Sequence, residues 1–106
     1  MSITRVDETT LQGMLETTSG VTGVVFVSEW CNVCREMMPI MEQAAEALAG
    51  RCTFYTIDFD SSQNTAVACG VMVVPTLVLF KAGKSVDRVA GFIPEEKLLA
   101  RVQAQL

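Results

Sequence analysis

The chain is predicted to fold as an α/β domain: a mixed central β-sheet covered by helices on both faces, in the order β-α-β-α-β-α-β-β-α. Three observations predict it. Strand-length apolar runs alternate with segments of helical period, the order that wraps a sheet in helices. Val24-Val25-Phe26-Val27 is apolar without a break, as a strand buried on both faces must be. The last two strands are joined by Ala82-Gly83, a two-residue hairpin turn, so the sheet cannot be wholly parallel. With 106 residues, 50% of them apolar, there is material for one dense core, and a single domain over residues 1–106 is expected.

The elements follow in order. Ile3 to Val6 reads as a short strand, and Asp7 as the cap of a helix reaching Thr18, with Leu11, Met14 and Leu15 on one face before Ser19-Gly20 ends it. After the Val24–Val27 strand and the segment Ser28-Glu29-Trp30-Cys31, a long helix is predicted from Asn32 to Ala49. Its apolar positions are Val33, Met37, Ile40, Met41, Ala44, Ala45 and Leu48, with a kink at Pro39 and a stop at Gly50. Cys52 to Asp58 alternates, with Phe54 facing one way and Tyr55 and Ile57 the other. Ser61-Ser62 is expected to cap a short helix ending at Gly70. Pro75–Lys81 and Ser85–Ala90 form the hairpin, and a last helix starts with Pro94 in its first position and buries Leu98, Leu99, Val102 and Leu106.

Composition removes several classes of function. Eight basic and twelve acidic side chains give a net charge of −4 with no basic stripe, so no nucleic-acid partner is expected. No apolar run approaches the roughly 20 residues needed to span a bilayer; the longest, Val71 to Phe80, is interrupted by Pro75 and Thr76, and no membrane partner is expected. The first ten residues have neither a basic start nor an apolar stretch, so no secretory signal is read there and a soluble, cytoplasmic protein is expected. Histidine is absent, which excludes Ser-His-Asp and Cys-His hydrolases, His-ligated zinc and imidazole general bases.

Four cysteines remain: Cys31, Cys34, Cys52 and Cys69. Cys31 follows a buried strand and opens a long helix, where unpaired N–H groups and the helix dipole favour a thiolate. Cys34 lies one helical step further on the same face, within reach of Cys31 for a disulfide. This spacing divides the labour of thiol–disulfide exchange. An exposed Cys31 thiolate attacks a disulfide in a partner, and a more buried Cys34 then attacks Cys31 and frees the reduced partner. No metal or other cofactor is required. A metal site would need Cys52 and Cys69 as further ligands, but sixteen residues separate them, and no metal is expected.

Trp30-Cys31-Asn32-Val33-Cys34 resembles the active site of the thioredoxin family, and the likeness extends along the chain. Pro39 matches the family's helix proline and Val74-Pro75-Thr76 its cis-proline segment. Phe80-Lys81-Ala82-Gly83-Lys84 with Val86-Asp87-Arg88 matches the closing hairpin, and Gly91 the glycine after it. The resemblance implies the thioredoxin fold, with Cys31 as nucleophile, Cys34 as resolving thiol and Trp30 as a rigid wall beside them. It also implies a cis Val74–Pro75 peptide, with the backbone of Val74 pairing with an extended substrate segment. The implied docking surface is Trp30, Val33, Phe59, Val73, Val74, Pro75, Gly91 and Phe92, with Asn32 between the cysteines; Met72 is expected near a partner.

Two departures from the family pattern bear on mechanism. Where thioredoxins usually carry a buried aspartate six residues before the first cysteine, this chain has Val25, and Thr56 stands in for a lysine that commonly accompanies it. An apolar wall without a base raises the Cys34 pKa and slows resolution; Glu29 and Asp58 are the nearest substitutes by sequence. Between the cysteines, Asn32-Val33 replaces Gly-Pro, adding a backbone N–H at Val33 and a side-chain amide at Asn32 near the Cys31 sulfur. Both are expected to favour the thiolate and make the potential less negative than the roughly −270 mV of thioredoxin. Cys52 is expected to be a small, partly buried filler, and Cys69 to lie close to the active-site face.

The function expected from these residues is reduction of protein disulfides through the Cys31/Cys34 dithiol, recharged by a thioredoxin-reductase-type electron donor, in a monomer. The alternatives are a more oxidising disulfide donor or isomerase, toward which Asn32-Val33 leans, and a non-redox protein-binding module, for which Val25 is the best support.

Overall fold

In the computed structural model, which describes residues 3–106, the strand that carries the Val24–Val27 run lies at the centre of the sheet. The elements are β1 (Thr4–Val6), α1 (Glu8–Thr17), β2 (Val21–Val27), α2 (Asn32–Ala47), β3 (Cys52–Asp58), α3 (Gln63–Cys69), β4 (Thr76–Lys81), β5 (Lys84–Ala90) and α4 (Glu95–Gln103). The five strands lie in the order β1-β3-β2-β4-β5. β1, β3 and β2 are parallel, and β4 and β5 add antiparallel pairs. The predicted mixed sheet and element order are those observed.

Alternation along β2 divides the interior in two. Val25 joins Met37, Met41 and Ala44 of α2 and Leu98 and Val102 of α4 on one face. Val24 and Phe26 join Leu11 of α1 and Ala66 of α3 on the other. β3 divides the same way, Phe54 to the first cluster and Ile57 to the second, as its alternation predicted.

β2 begins at Val21, three residues before the apolar run, because parallel pairing with β3 extends back through Thr22 and Gly23. Gly23 is a close-approach residue: a Cβ there would lie 2.6 Å from the Phe54 ring of the neighbouring strand. α2 runs through Pro39 without interruption and stops at Ala47, two residues short of the predicted end, with Leu48 as its C-cap. Along it Val33 is exposed and Ile40 only half-buried, so its buried stripe is narrower than predicted. Pro94 is the N-cap of α4 and not its first residue. Of the four side chains expected inside, Leu98 and Val102 are fully buried, Leu99 is half-buried and Leu106 is exposed, since the helix ends three residues before it; Ile93 takes the core position instead. The hairpin turn has Ala82 at φ 54° and Gly83 at φ 82°, the pair of left-handed residues that a two-residue turn of this twist needs.

The helix starts are tied down differently. Asp7 caps α1 as predicted, its Oδ1 accepting from the Thr10 N–H at 2.8 Å. Ser62 occupies the N-cap position of α3, yet its side chain makes no capping bond; Glu8 of α1 supplies the acceptor, Oε2 taking the Thr65 N–H at 2.7 Å. At the far end Gly70 closes α3 at φ 71°, with the Val71 N–H returning to the Ala66 carbonyl at 2.8 Å. Asp87 of β5 and Arg101 of α4 form a two-bond ion pair, 2.7 and 2.6 Å, that fastens the last helix to the edge strand.

Glu8→Ala is expected to lower stability by about 1 kcal/mol, the usual worth of an N-cap acceptor, read as a fall in the urea midpoint. The Arg101 guanidinium bonded to Asp87 holds that carboxyl below its ordinary pKa. Its contribution is therefore present at neutral pH and is lost as pH falls through the depressed value, below about 4. Asp87→Asn should destabilise by about 1 kcal/mol at pH 7, and urea curves of mutant and parent should converge at acid pH; a gap that persists at acid pH would assign the effect to shape and not charge.

Candidate active site

Sheet pairing gathers the candidate residues. Parallel strands β2 and β3 end together, Val27 opposite Asp58. β4 runs the other way, and its first residue, Thr76, lies opposite Phe26 on one side and Ala90 on the other. The segments that follow β2, β3 and β5, and the one that precedes β4, therefore meet at one end of the sheet. They carry Trp30 and Cys31, Asp60, Phe92, and Val74 and Pro75. The Gly91 N–H donates to the Pro75 carbonyl at 2.7 Å and ties two of these segments together, and the Val74–Pro75 peptide is cis, as the resemblance implied.

Cys31 is the N-cap of α2. Its Sγ accepts from the Cys34 backbone N–H at 3.1 Å, in the role an Asp or Ser oxygen usually plays. The two sulfurs are bonded to each other, with Cα atoms 5.3 Å apart. The expected contrast between an exposed nucleophile and a buried resolving thiol is small here: Cys31 is 7% and Cys34 3% exposed, because the first turn of α2 and the disulfide itself cover both.

The expectation for Asn32 requires correction. Its Oδ1 accepts from Arg35 Nη1 at 2.7 Å, so the carboxamide is turned toward α2 and its amide makes no bond to Cys31. Among the described residues the hydrogen bond that reaches Sγ is the Cys34 N–H; the Val33 N–H makes none. Arg35 also donates from Nη2 to the Glu29 carbonyl at 2.9 Å and so brackets the turn that carries Cys31.

Trp30 projects into solvent, 68% exposed, with its indole N–H bonded to Asp60 Oδ2 at 3.0 Å. The same oxygen accepts from Ser28 Oγ at 2.7 Å. Asp60, Ser28 and Arg35 were not singled out from the sequence, since nothing local marks a loop aspartate as the partner of a tryptophan thirty positions earlier. Val33, Met72, Val73 and Phe92 are exposed, Val74 is half-buried and Pro75 buried. Phe59 does not belong to this surface in the way expected: it packs against the second core cluster and is only partly accessible.

Val25 and Thr56 are paired across β2 and β3, both buried, so the two departures from the family pattern fall on one residue pair and leave that position without charge. Asp58 stands two residues further along β3. Hydrogen bonding from Ser61, with the charge of Arg5 at 3.7 Å, holds its carboxyl below the ordinary range. Burial pushes the Cys52 thiol up to about 11 and also raises Cys69, against a partial offset from Arg88, so neither is ionised at neutral pH. Among the described residues no group of three or more Cys, Asp or Glu side chains is placed to hold a metal ion, and no helix is long and apolar enough to cross a membrane.

A mixed five-stranded sheet with helices on both faces and a bonded Cys-x-x-Cys pair at a helix N-terminus defines a protein of thiol–disulfide chemistry. The Thioredoxin family model matches residues 2–104, and the chain belongs to the thioredoxin family. It is 34% identical over 106 residues to the thioredoxin of Staphylococcus saprophyticus, covering all of both chains. It is 37% identical over 98 residues to that of Staphylococcus aureus, covering 92% of each. Among solved structures, a mutant thioredoxin from Halobacterium salinarum superposes with a TM-score of 0.88 at 31% identity, covering 98% of this chain and 90% of that one.

Trp30 is the sole tryptophan, so its emission reports its tether directly. Asp60→Ala should release the indole, lowering its fluorescence anisotropy without loss of fold by circular dichroism. Unchanged anisotropy would show that packing alone holds the ring.

Proposed function

We propose that this protein reduces disulfides in partner proteins, with Cys31 as attacking thiolate and Cys34 as resolving thiol. The observation that supports this best is the Cys31 sulfur at the N-cap of α2, bonded to Cys34 and receiving the Cys34 N–H. A helix start and an N–H donor both stabilise the thiolate that such chemistry needs. Attack by Cys31 breaks the partner's disulfide, frees one thiolate and leaves a mixed disulfide. Cys34 then bonds to Cys31 and frees the second thiolate. The exposed apolar side chains Trp30, Val33, Val73 and Phe92, with Val74 and the buried Pro75 behind them, form the face on which an extended substrate segment docks, and Asn32 lies beside it.

The oxidised pair is returned to the dithiol by a separate electron donor of the thioredoxin-reductase type, and we place the protein as a single-domain monomer in the cytoplasm. With Asn32 Oδ1 bonded to Arg35 and the Val33 N–H making no bond to Cys31, neither residue supports an oxidising donor, and reduction is the better supported direction.

Insulin reduction driven by dithiothreitol tests the proposal. The parent protein should accelerate precipitation of the insulin B chain, Cys31→Ser should abolish the acceleration, and Cys34→Ser should accumulate a mixed disulfide visible as a mass adduct. An inactive parent that remains folded would move the protein to the class of docking modules.

A further inference from the structure

The charged side chains that this chemistry leaves unused gather behind Cys34. A cavity of about 400 Å³, open to solvent, has Cys34, Val27 and Met38 in its wall and Arg5 of β1, Glu29 before α2, Arg35 of α2 and Asp58 of β3 around it. Its opening admits water. On the sheet, the paired residues Val25 and Thr56 are buried and neutral. The segments 71–75 and 91–93 carry no titratable residue either. Asp60 is bonded to Ser28 and Trp30.

The four charges around the cavity are not equivalent. Asp58 pairs with Arg5 at 3.7 Å and accepts the Ser61 N–H at 2.9 Å, so it is ionised and far too weak a base to take a thiol proton efficiently. Glu29 and Arg35 are both exposed to solvent, and among the described residues the Glu29 carboxylate has no hydrogen bond to fix it. Arg35 differs from Asp58 and Glu29: its two hydrogen bonds go to neutral oxygens, Asn32 Oδ1 and the Glu29 carbonyl. Among the described residues it makes no ion pair within 4.0 Å. Both anchors lie within the turn that carries Cys31, which fixes the cation to the same frame as the dithiol.

We propose that Arg35 activates Cys34: its fixed, unpaired charge stabilises the resolving thiolate, and the thiol proton leaves to solvent through the cavity and not to a buried carboxylate. The inference rests on the redox function proposed above. In the step concerned Cys34 loses its proton to water. Its sulfur then bonds to Cys31, the bond between Cys31 and the partner sulfur breaks, and the electron pair departs with the partner. The dithiol is oxidised by two electrons and the partner's disulfide is reduced by two.

The test is stopped-flow reaction of the reduced protein with the aromatic disulfide 5,5′-dithiobis(2-nitrobenzoate), on a Cys69→Ser background. The first chromophore release reports Cys31 attack and the second reports resolution by Cys34. Removing the charge in Arg35→Gln should move the pH midpoint of the second phase upward by about one unit. The thiolate population then falls about tenfold, and with the partly compensating gain in nucleophilicity the second phase at pH 7 slows about threefold. Arg35→Lys, which keeps the charge and loses the fork, should hold the midpoint near that of the parent. Equal shifts in both variants would reduce Arg35 to a structural bracket and overturn the proposal, as would a Gln variant that changes only the first phase or neither. Absence of a second release in the parent would instead overturn the redox function itself.

Discussion

Everything at the active end of the molecule depends on β2 being buried on both faces. Val24, Val25 and Phe26 are fully buried, and each such side chain contributes about 1.5–3 kcal/mol relative to exposure. Because strand side chains alternate with a period of two, a slip of one residue would exchange Val25 with its neighbours and dismantle both clusters at once. The register is therefore held by the two cores and not by the turns. A fixed register also fixes where the strands stop. Val27 ends beside Asp58, Phe26 stands opposite Thr76, and the loops carrying the cysteines, the cis proline and Phe92 have one place to meet.

At that place the chain passes straight from strand to helix, and the residue at the junction is a cysteine. An oxygen at an N-cap has one task, to satisfy an orphan N–H. A sulfur there has a second, because the N–H that fixes the helix also stabilises the sulfur's negative charge. α1 is capped by its N-cap aspartate and α3 by a glutamate borrowed from α1, so a sulfur cap is not a general feature of this chain's helices. It belongs to the helix that follows the central strand.

Much of this was legible from the residues alone. The apolar run of β2, the alternation in β3, the hairpin at Ala82-Gly83 and the cap at Asp7 are local signals, and each was placed within a few residues. Errors arose where a neighbour outranks local preference. The apolar run starts β2 at Val24, but pairing with β3 carries the strand back through Gly23, where the Phe54 ring needs the space. Ser62 reads as a cap, yet Glu8 reaches across from another helix to do the work. In the site, Cys31, Cys34, Trp30 and Pro75 were recognisable by motif, whereas the triad of Ser28, Trp30 and Asp60 exists only once parallel pairing has brought the ends of β2 and β3 together. Asn32 departs from its expected role for a related reason: two acceptors lie in reach of Arg35, and a guanidinium fork is a stronger claimant on a carboxamide oxygen than a sulfur is on its amide.

The neutral Val25–Thr56 pair has an energetic logic that extends to the resolving thiol. A lone carboxylate at position 25, fully buried and opposite a threonine, would lose its hydration with no opposite charge to compensate, which costs several kcal/mol or forces it to stay protonated. Both positions being neutral avoids that penalty and leaves the core beside α2 dry. Proton exchange at Cys34 is thereby displaced to its other side, where charges stand against solvent and their desolvation is small. A cation anchored through neutral oxygens suits that side. It biases the thiol toward ionisation through its charge, with a planar fork that holds it in place.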